Sequence, residues 1–378
     1  MKRALIFSTT YFPLVGGAEV AMKEVTDRIQ EWEFDLVCAR IRPGLPDTER
    51  MGRVTVHRVG LGTPNDKYLL AALGPLKAMT LPAAGGRVVW SLMASYGGFA
   101  ALAYCTLRRE AKLLLSLQEG DPLEHYARRV GRLAFVHERI FQRANTVQAI
   151  SGFLAEWAVR MGHRGTPEVV PNGVDVARFS ARITPEKRQE LRRSVGYCDE
   201  DIVIVTVSRL SLKNGIDDLV RSLASLPERY KALIIGDGED DEKLRTLVEK
   251  EGSQARVRFL GKRGHDELPG LLQASDMFCR ASLSEGLGNS FLEAMAAGLP
   301  IIGTPVGGIP DFLTDGETGV FCRPHDPPSI ATAAMRITDE PGLRGTLVRN
   351  GEALVRRDYG WDGIARRLEA MLEQLNAS

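Results

Sequence analysis

The chain has 378 residues, 44% hydrophobic and 26% charged, with a formal net charge of +1. This is an ordinary globular balance without repeats or low-complexity tracts, and we expect no nucleic-acid partner. The length is large for a single hydrophobic core and predicts two domains. The five cysteines stand far apart, in or near apolar runs, which favours buried, reduced thiols over disulfides or metal ligands and indicates a cytoplasmic location.

The first predicted strand, residues 3–8, is too short to be a signal peptide, so no secretion is expected. A turn containing Gly16 and Gly17 follows it and leads into a helix near Glu19. Glycines in such a turn let backbone amides approach an anionic ligand, although an ordinary strand–helix turn needs them equally. Glu19 is interpreted as a partner of the helix dipole.

Residues 88–107 contain no charged side chain and are long enough to span a bilayer. Gly97 and Gly98 divide this segment into an apolar strand and a short helix. Because strand, glycine turn and helix form the unit of a doubly wound sheet, no membrane span is predicted here. Further apolar strands, separated by amphipathic stretches, are predicted near residues 34–38, 112–117, 146–150, 202–207, 232–235, 256–259 and 300–303.

Two cations, Arg209 and Lys213, follow the predicted strand 202–207. Open α/β sheets bind ligands at the carboxyl ends of their strands, so both side chains can point into a ligand-binding cleft. The alternative is a pair of solvated loop cations. Residues 237–241 are acidic, but they lie where a helix begins and its dipole explains them. No histidine or cysteine spacing fits zinc, so no metal is predicted.

The most informative motif is residues 285–293, in which Glu285 and Glu293 flank a glycine-containing loop. A helix is predicted to begin near Asn289, so its unpaired N–H groups and positive dipole end face that loop. Phosphate is the favoured ligand of a helix amino terminus that faces a loop in this way. The two carboxylates can accept hydrogen bonds from the hydroxyl pairs of a ribose and of a transferred sugar. Taken alone, the pattern also describes a capped helix with two solvated glutamates.

Together, these segments resemble the retaining glycosyltransferases of family 4. The similar segments are residues 11–19, 169–175, 203–215, 233–238, 257–261, 285–293 and 300–308. The resemblance implies an α/β fold of the GT-B type, with two Rossmann-like domains facing each other across a cleft. The resemblance also implies a division of the chain into an acceptor-side domain (residues 1–172), a donor-side domain (173–355) and a C-terminal helix (356–378) that crosses back to pack on the first domain. That helix has one apolar stripe, formed by Trp361, Ile364, Leu368, Leu372 and Leu375.

The implied activity is transfer of a sugar from a nucleoside-diphosphate sugar to a hydroxyl of a glycan, a lipid-linked or a small-molecule acceptor. Retention of configuration is implied, and neither a metal nor another cofactor is expected. The donor base (UDP, GDP or ADP), the sugar and the acceptor stay open. Two alternatives also stay open: a catalytically weak sugar-nucleotide-binding relative and an NAD-dependent dehydrogenase, although no complete G-x-G-x-x-G follows a predicted strand.

By the same resemblance, the catalytic residues are Arg209, Lys213 and Glu285. The donor-binding residues are Gly16, Gly17, Gly261, Lys262, Leu287, Gly288, Asn289, Ser290 and Glu293. Glu293 is expected to hold the ribose diol, Glu285 a hydroxyl of the donor sugar, and the backbone near Gly261 the base. One position departs from the family pattern, because Asn214 stands where many relatives have a lysine and Lys213 comes one residue earlier.

The acceptor-side candidates follow the predicted strand 112–117. Gln118 stands where many family members have a histidine that faces the sugars, and the further candidates are Glu119, Asp121 and His125. An amide can orient a hydroxyl but cannot accept a proton. General-base catalysis would therefore come from Glu119, from Asp121 or from the departing phosphate.

Charge is unevenly distributed, because residues 1–165 carry an excess of Lys and Arg and the remainder an excess of Asp and Glu. Segments 69–81 and 128–139 place apolar residues beside cations. This pattern fits an anionic membrane surface, with the protein peripheral at its inner face, while solvated helix faces are the alternative.

Overall fold

The computed structural model describes residues 1–14, 16–82, 86–122, 131 and 134–377. The chain divides into two compact units: unit 1 comprises Met1–Asn172 and Trp361–Ser378, and unit 2 comprises Gly173–Gly360. The sequence predicts a final segment from residue 356, but residues 356–360 belong to unit 2. Residues 356–358 complete the last turn of the preceding helix, so only the helix from Trp361 belongs to unit 1.

Unit 1 contains a sheet with the strand order β3-β4-β2-β1-β5-β6-β7-β8. Its strands are β1 (Lys2–Phe7), β2 (Trp32–Ala39), β3 (Thr48–Met51), β4 (Val54–Val59), β5 (Val88–Leu92), β6 (Lys112–Leu117), β7 (Thr146–Ala149) and β8 (Glu168–Val169). β3 pairs antiparallel with β4, and the other neighbours are parallel. Parallel strands covered on both faces need nearly continuous apolar sequence, as in the buried β5.

The helices described in unit 1 lie beside this sheet. They are α1 (Gly17–Arg28), α2 (Asp66–Ala78), α3 (Tyr96–Leu107), α4 (Ala134–Arg143), α5 (Gly152–Arg160) and the C-terminal helix (Trp361–Ala377). The C-terminal helix buries its predicted apolar stripe in the same core cluster as Trp32 and Trp90. The stripe is therefore confirmed as the face that attaches this helix to unit 1.

Unit 2 contains a parallel sheet with the order β11-β10-β9-β12-β13-β14. Its strands are β9 (Ile202–Val207), β10 (Tyr230–Ile235), β11 (Val257–Gly261), β12 (Met277–Arg280), β13 (Ile301–Gly303) and β14 (Val320–Phe321). The order reverses at β9, because β10 and β11 lie on one side of it and β12 to β14 on the other. Ligands of open α/β sheets bind outside the carboxyl ends of the strands at such a switch point.

The helices of unit 2 begin and end at signals that the sequence contains. They are α6 (Val176–Ser180), α7 (Pro185–Ser194), α8 (Ile216–Ser222), α9 (Asp241–Lys250), α10 (Leu268–Gln273), α11 (Asn289–Ala296), α12 (Pro327–Asp339) and α13 (Leu343–Asp358). At α7, for example, the Thr184 hydroxyl accepts a hydrogen bond from Lys187 N at 3.2 Å and Pro185 takes the first helical position.

All nine predicted strands are present, whereas β3, β4, β8, β12 and β14 were not predicted. Residues 88–107 form β5 and α3, as predicted. Among the helices in the described ranges, none is both long and apolar enough to cross a membrane. The cysteine prediction holds for the buried Cys38, Cys105, Cys279 and Cys322 and is wrong for Cys198, which is exposed in the loop between α7 and β9.

Candidate functional site

The predicted anion site is the amino terminus of α11, which begins at Asn289 as the sequence predicts. The first N–H groups of a helix have no intrahelical partner and carry partial positive charge. Gly288 directly precedes the helix. Leu287 is only 1% exposed, so it can offer a ligand its backbone but not its side chain, whereas Asn289 and Ser290 are half-buried. The start of α11 therefore presents amides and two polar side chains.

Two glycines explain how loops from different strands meet in unit 2. Gly215 has a φ of 65°, and a Cβ there would lie 1.9 Å from the Ala281 carbonyl oxygen in the loop after β12. Gly307, after β13, has a φ of 56°, and a Cβ there would lie 1.8 Å from the Glu285 carbonyl oxygen. A side chain at either position would force the backbones apart. The loops after β9, β12 and β13 are thus held in direct backbone contact.

The first motif glutamate, Glu285, is buried and forms an ion pair with Arg280, the last residue of β12. Arg280 also donates hydrogen bonds to Asn214 Oδ1 and Ser290 Oγ, each at 3.1 Å. The loop after β9, the glycine loop and the first turn of α11 therefore meet at one guanidinium. The sequence analysis missed Arg280. A cation directly after the apolar run 277–279 was the signal, since it marks the carboxyl end of a short strand.

Arg209, the first predicted cation, lies directly beyond β9 with its side chain 66% exposed. Its Nε donates to Glu239 Oε2 at 2.9 Å. An ion pair between two exposed side chains contributes little free energy, so the guanidinium can exchange this partner for a phosphate at small cost.

Lys213, the second predicted cation, lies in a 3-10 helix over Leu212–Asn214. The Asp240 carboxylate anchors this helix by accepting a hydrogen bond from Leu212 N at 3.0 Å, and the Lys213 carbonyl accepts one from Leu283 N at 2.7 Å. The acidic run 237–241 thus supports the loop that carries Lys213. Within the described ranges, no group of three or more His, Cys, Asp or Glu side chains converges as metal ligands would.

Glu293, the second motif glutamate, lies one turn inside α11 with its side chain 14% exposed. Burial raises the pKa of Glu293 to about 7, and the positive charge of Arg178 opposes this rise. Its Oε1 lies 3.9 Å from His265 Nδ1. A carboxylate in this environment gains from any further hydroxyl donor, such as a sugar diol.

The residues expected near the base lie at the end of β11. Gly261 is the last residue of that strand, and its carbonyl accepts a hydrogen bond from Gly236 N at 2.9 Å. Lys262 follows and is exposed. Both therefore lie at the carboxyl edge of the sheet, two strands away from β9.

Four buried polar side-chain atoms of unit 2 have no hydrogen-bond partner among the described residues: Thr206 Oγ1, Ser208 Oγ, Arg280 Nε and Ser282 Oγ. All four belong to β9, to β12 or to the loops directly after them. Buried polar atoms are normally paired with protein, water or a ligand. Their concentration at the switch point of the sheet supports a polar ligand site there.

In unit 1, the predicted glycine loop leads into α1, which begins at Gly17. Gly16 N donates to Glu19 Oε2 at 2.7 Å, and Thr10 Oγ1 donates to Glu19 Oε1 at 3.0 Å. Glu19 thus caps the helix amino terminus, in agreement with the predicted dipole role. The Gly16 N–H, which was predicted to bind the donor, is hydrogen-bonded to this carboxylate. Gly17 is the first residue of the helix.

The acceptor-side candidate Gln118 forms a reciprocal amide pair with Asn172. Gln118 Nε2 donates to Asn172 Oδ1 at 3.0 Å, and Asn172 Nδ2 donates to Gln118 Oε1 at 2.8 Å. The pair borders a small cavity of about 10 Å³ inside unit 1. Gln118 therefore has a fixed orientation, set by a residue of the predicted crossing segment 169–175.

Glu119 is fully buried, and both of its carboxylate oxygens are engaged by backbone. Oε1 accepts from Ala94 N and Oε2 from Gln118 N, each at 2.8 Å. Burial raises the pKa of Glu119 to about 7 despite these hydrogen bonds. Glu119 therefore joins the loops after β5 and β6, and its selection as an acceptor-side candidate stays a prediction. Asp121 is half-buried in the loop after β6, and His125 lies outside the described residues.

Comparison with known proteins identifies the family. Residues 187–354 match the family model described as glycosyl transferases group 1, and residues 16–173 match the one described as glycosyl transferase 4-like domain. The 2-deoxystreptamine N-acetyl-D-glucosaminyltransferase of Streptomyces fradiae is 30% identical, over 95% of this chain and 91% of that protein. The chain belongs to the glycosyl transferases of group 1. The family resemblance is confirmed, and the dehydrogenase alternative is set aside.

The fold prediction is confirmed as well. The structure is similar to that of Anabaena HepE in complex with UDP and glucose, with a TM-score of 0.82 at 20% identity, over 99% of this chain and 100% of that chain. A likeness at this identity establishes the GT-B fold alone. A D-inositol 3-phosphate glycosyltransferase of Actinosynnema mirum is 33% identical over 69% of this chain. The chain spans 63% of the length of that protein, and 53% and 57% of the length of two other glycosyltransferases that it matches.

Proposed function

We propose that this group 1 glycosyltransferase moves a hexosyl group from a nucleoside-diphosphate sugar to an acceptor hydroxyl, with retention of configuration and without a metal ion. The observation that carries the proposal is the meeting of the Lys213 loop, the buried Glu285 and the first turn of α11 at Arg280. Cations beside a helix amino terminus suit a diphosphate, and carboxylates suit sugar hydroxyls. A nucleotide sugar presents both kinds of group.

The residue roles in this proposal follow from the charges on the donor. Arg209 and Lys213 stabilise the negative charge that develops on the leaving phosphate. In other transferases a metal ion has this role. Glu285 accepts from a hydroxyl of the donor sugar, and Glu293 accepts from the ribose diol. The UDP complex of Anabaena HepE supports a nucleoside diphosphate as the common part of the donor.

Retention requires no side-chain base. The bond between the anomeric carbon and the diphosphate oxygen breaks, the acceptor oxygen bonds to the same face, and the departing phosphate oxygen takes the acceptor's proton. Such a route fits unit 1, because Gln118 is an amide and both oxygens of Glu119 are bound to backbone. Gln118 then serves to orient an acceptor hydroxyl.

The stereochemical outcome tests this mechanism. A thermal-shift screen against UDP, GDP and ADP first selects the donor base. The wild-type protein and Gln118→Ala are then incubated, in the presence of EDTA, with the matching α-linked sugar donors and candidate acceptors. We expect an α linkage in the first product by NMR, and slower transfer with the same anomer from the variant. A β product, or a requirement for metal, would contradict the mechanism. Binding without release of nucleoside diphosphate would instead favour the catalytically weak alternative.

A second proposal is that α2 binds a membrane surface and that the acceptor lies near that membrane. The exposed face of α2 carries Tyr68, Leu69, Leu73, Leu76 and Met79, between 38% and 61% exposed. Lys67 Nζ lies 5.2 Å from the Tyr68 ring centroid, and Lys77 lies in the last turn. The acidic residue in the first turn of α2, Asp66, is buried and bonded to the preceding loop. An apolar, cationic face of this kind suits an anionic lipid surface, which supports a lipid-linked acceptor.

Vesicle binding tests this surface. We expect the protein to co-sediment with vesicles containing phosphatidylglycerol and to bind pure phosphatidylcholine vesicles weakly. Leu76→Glu should reduce sedimentation several-fold, because it removes apolar area and adds repulsion at the lipid surface. Val159→Glu, on the exposed side of α5, is the matched control. Equal sedimentation of both variants would contradict a membrane role for α2.

A further inference from the structure

The donor site contains a charge conflict that the proposed function does not resolve. Glu285 is a buried carboxylate, yet its loop leads into the amino terminus of α11, where the proposed diphosphate binds. Like charges that approach within a few ångströms in a poorly solvated site repel each other strongly. Glu285 would thus oppose the ligand whose sugar it is meant to hold.

Arg280 is placed to cancel that charge. Its guanidinium forms the ion pair with Glu285, and the two side chains are 11% and 10% exposed, so water screens the pair only weakly. The same guanidinium reaches Ser290 in the first turn of α11 at 3.1 Å. It lies 5.6 Å from the Phe291 ring centroid, so the ring face provides a further favourable contact. The cation therefore lies beside both the carboxylate and the proposed phosphate site.

The side-chain amide of Asn214 connects Arg280 to the backbone of the loop after β9. Its Oδ1 accepts a hydrogen bond from Arg280 Nη2, and its Nδ2 donates to the Arg209 carbonyl at 2.7 Å. A lysine, which many relatives have at this position, would place an ammonium group against Arg280. The neutral amide instead holds Arg280 in place.

We propose that Arg280 is a positioning residue that offsets the charge of Glu285 and fixes its direction, so that a diphosphate can bind beside a carboxylate reserved for the donor sugar. The inference rests on the proposed function. Both hydrogens of Arg280 Nη2 are used by Asn214 and Glu285, and Nη1 is bonded to Ser290. Three protein groups therefore hold Arg280 beside Glu285, and its Nε lacks a partner among the described residues, whereas the Arg209 side chain is exposed.

Isothermal titration with UDP, GDP and ADP, each compared with its free nucleoside, tests the proposal. The wild type is measured first, and failure to bind any of the three diphosphates would count against the proposed function itself. We expect Arg280→Met to weaken diphosphate binding at least about tenfold, because Glu285 is left unpaired, while nucleoside binding changes less than about twofold. Arg323→Met, which removes an exposed arginine of unit 2, is the matched control.

Two further variants separate charge balance from simple loss of structure. Arg280→Met/Glu285→Gln should recover most of the lost diphosphate affinity, since the unpaired charge is gone. Arg280→Lys keeps the charge but not the planar guanidinium, so its diphosphate affinity should lie between those of Arg280→Met and the wild type. The proposal is overturned if Arg280→Met binds diphosphate normally, if the double variant recovers nothing, or if the lysine variant, correctly folded by circular dichroism, is as weak as the methionine variant.

Discussion

Replacing Arg209 by alanine is expected to lower kcat by about 10² to 10³ while changing the donor Kd only a few-fold, as when one transition-state donor is lost. Negative charge on the leaving phosphate grows as the sugar bond breaks, so the guanidinium contributes most at the transition state. Single-turnover kinetics, with donor affinity measured separately, distinguish the two effects.

Glu239→Gln is the matched control for this variant. It removes the negative charge that pairs with Arg209 in this structure and leaves Arg209 itself in place. Because an exposed ion pair contributes little, kcat should change less than about threefold. If both variants behave alike, or if a correctly folded Arg209→Ala keeps its kcat, Arg209 is a surface residue and its catalytic assignment is wrong.

Glu293→Gln is expected to weaken binding of the free nucleoside diphosphate by about 1 to 3 kcal/mol, since a charge-assisted bond to the ribose diol is lost in ground and transition states alike. Calorimetry with the diphosphate alone measures this directly. Glu340→Gln, which changes an exposed glutamate of the same unit, should leave the affinity unchanged. Equal affinity in all three proteins would make Glu293 an ordinary helix residue.

The pH dependence of binding gives a second test of Glu293. Burial raises the pKa of Glu293 to about 7, so below that pH the free protein mostly holds the protonated form and must lose a proton to accept both diol hydrogen bonds. The affinity difference between wild type and Glu293→Gln should therefore be largest near pH 8 and shrink towards pH 6. Comparing the two proteins at each pH removes the titration of the diphosphate. A difference that is constant with pH would contradict the assignment.

The sequence by itself determined those features that depend on local pattern. Apolar runs separated by amphipathic stretches predicted nine strands, among them β1 and β5 at the centre of one sheet and β9 at the centre of the other, because a strand covered on both faces needs continuous apolar sequence. Glycines followed by good helix formers predicted that α11 begins at Asn289. The helical spacing of apolar residues predicted the buried face of the C-terminal helix. Each signal lies within a few residues of the feature that it predicts.

The tertiary structure alone decided which side chains meet. Arg280 and Asn214 are 66 residues apart, and Gln118 and Asn172 are 54 apart, so no local pattern connects them. β12 is four residues long, too short for periodicity to reveal, yet it delivers Arg280 to Glu285. The fold also brings the backbone N–H groups of Ala94 and Gln118 to Glu119, and no local pattern predicts the contact with Ala94. Strand order decides which loops share the switch point, and strand order depends on how the helices and strands pack, which the sequence of any one segment does not contain.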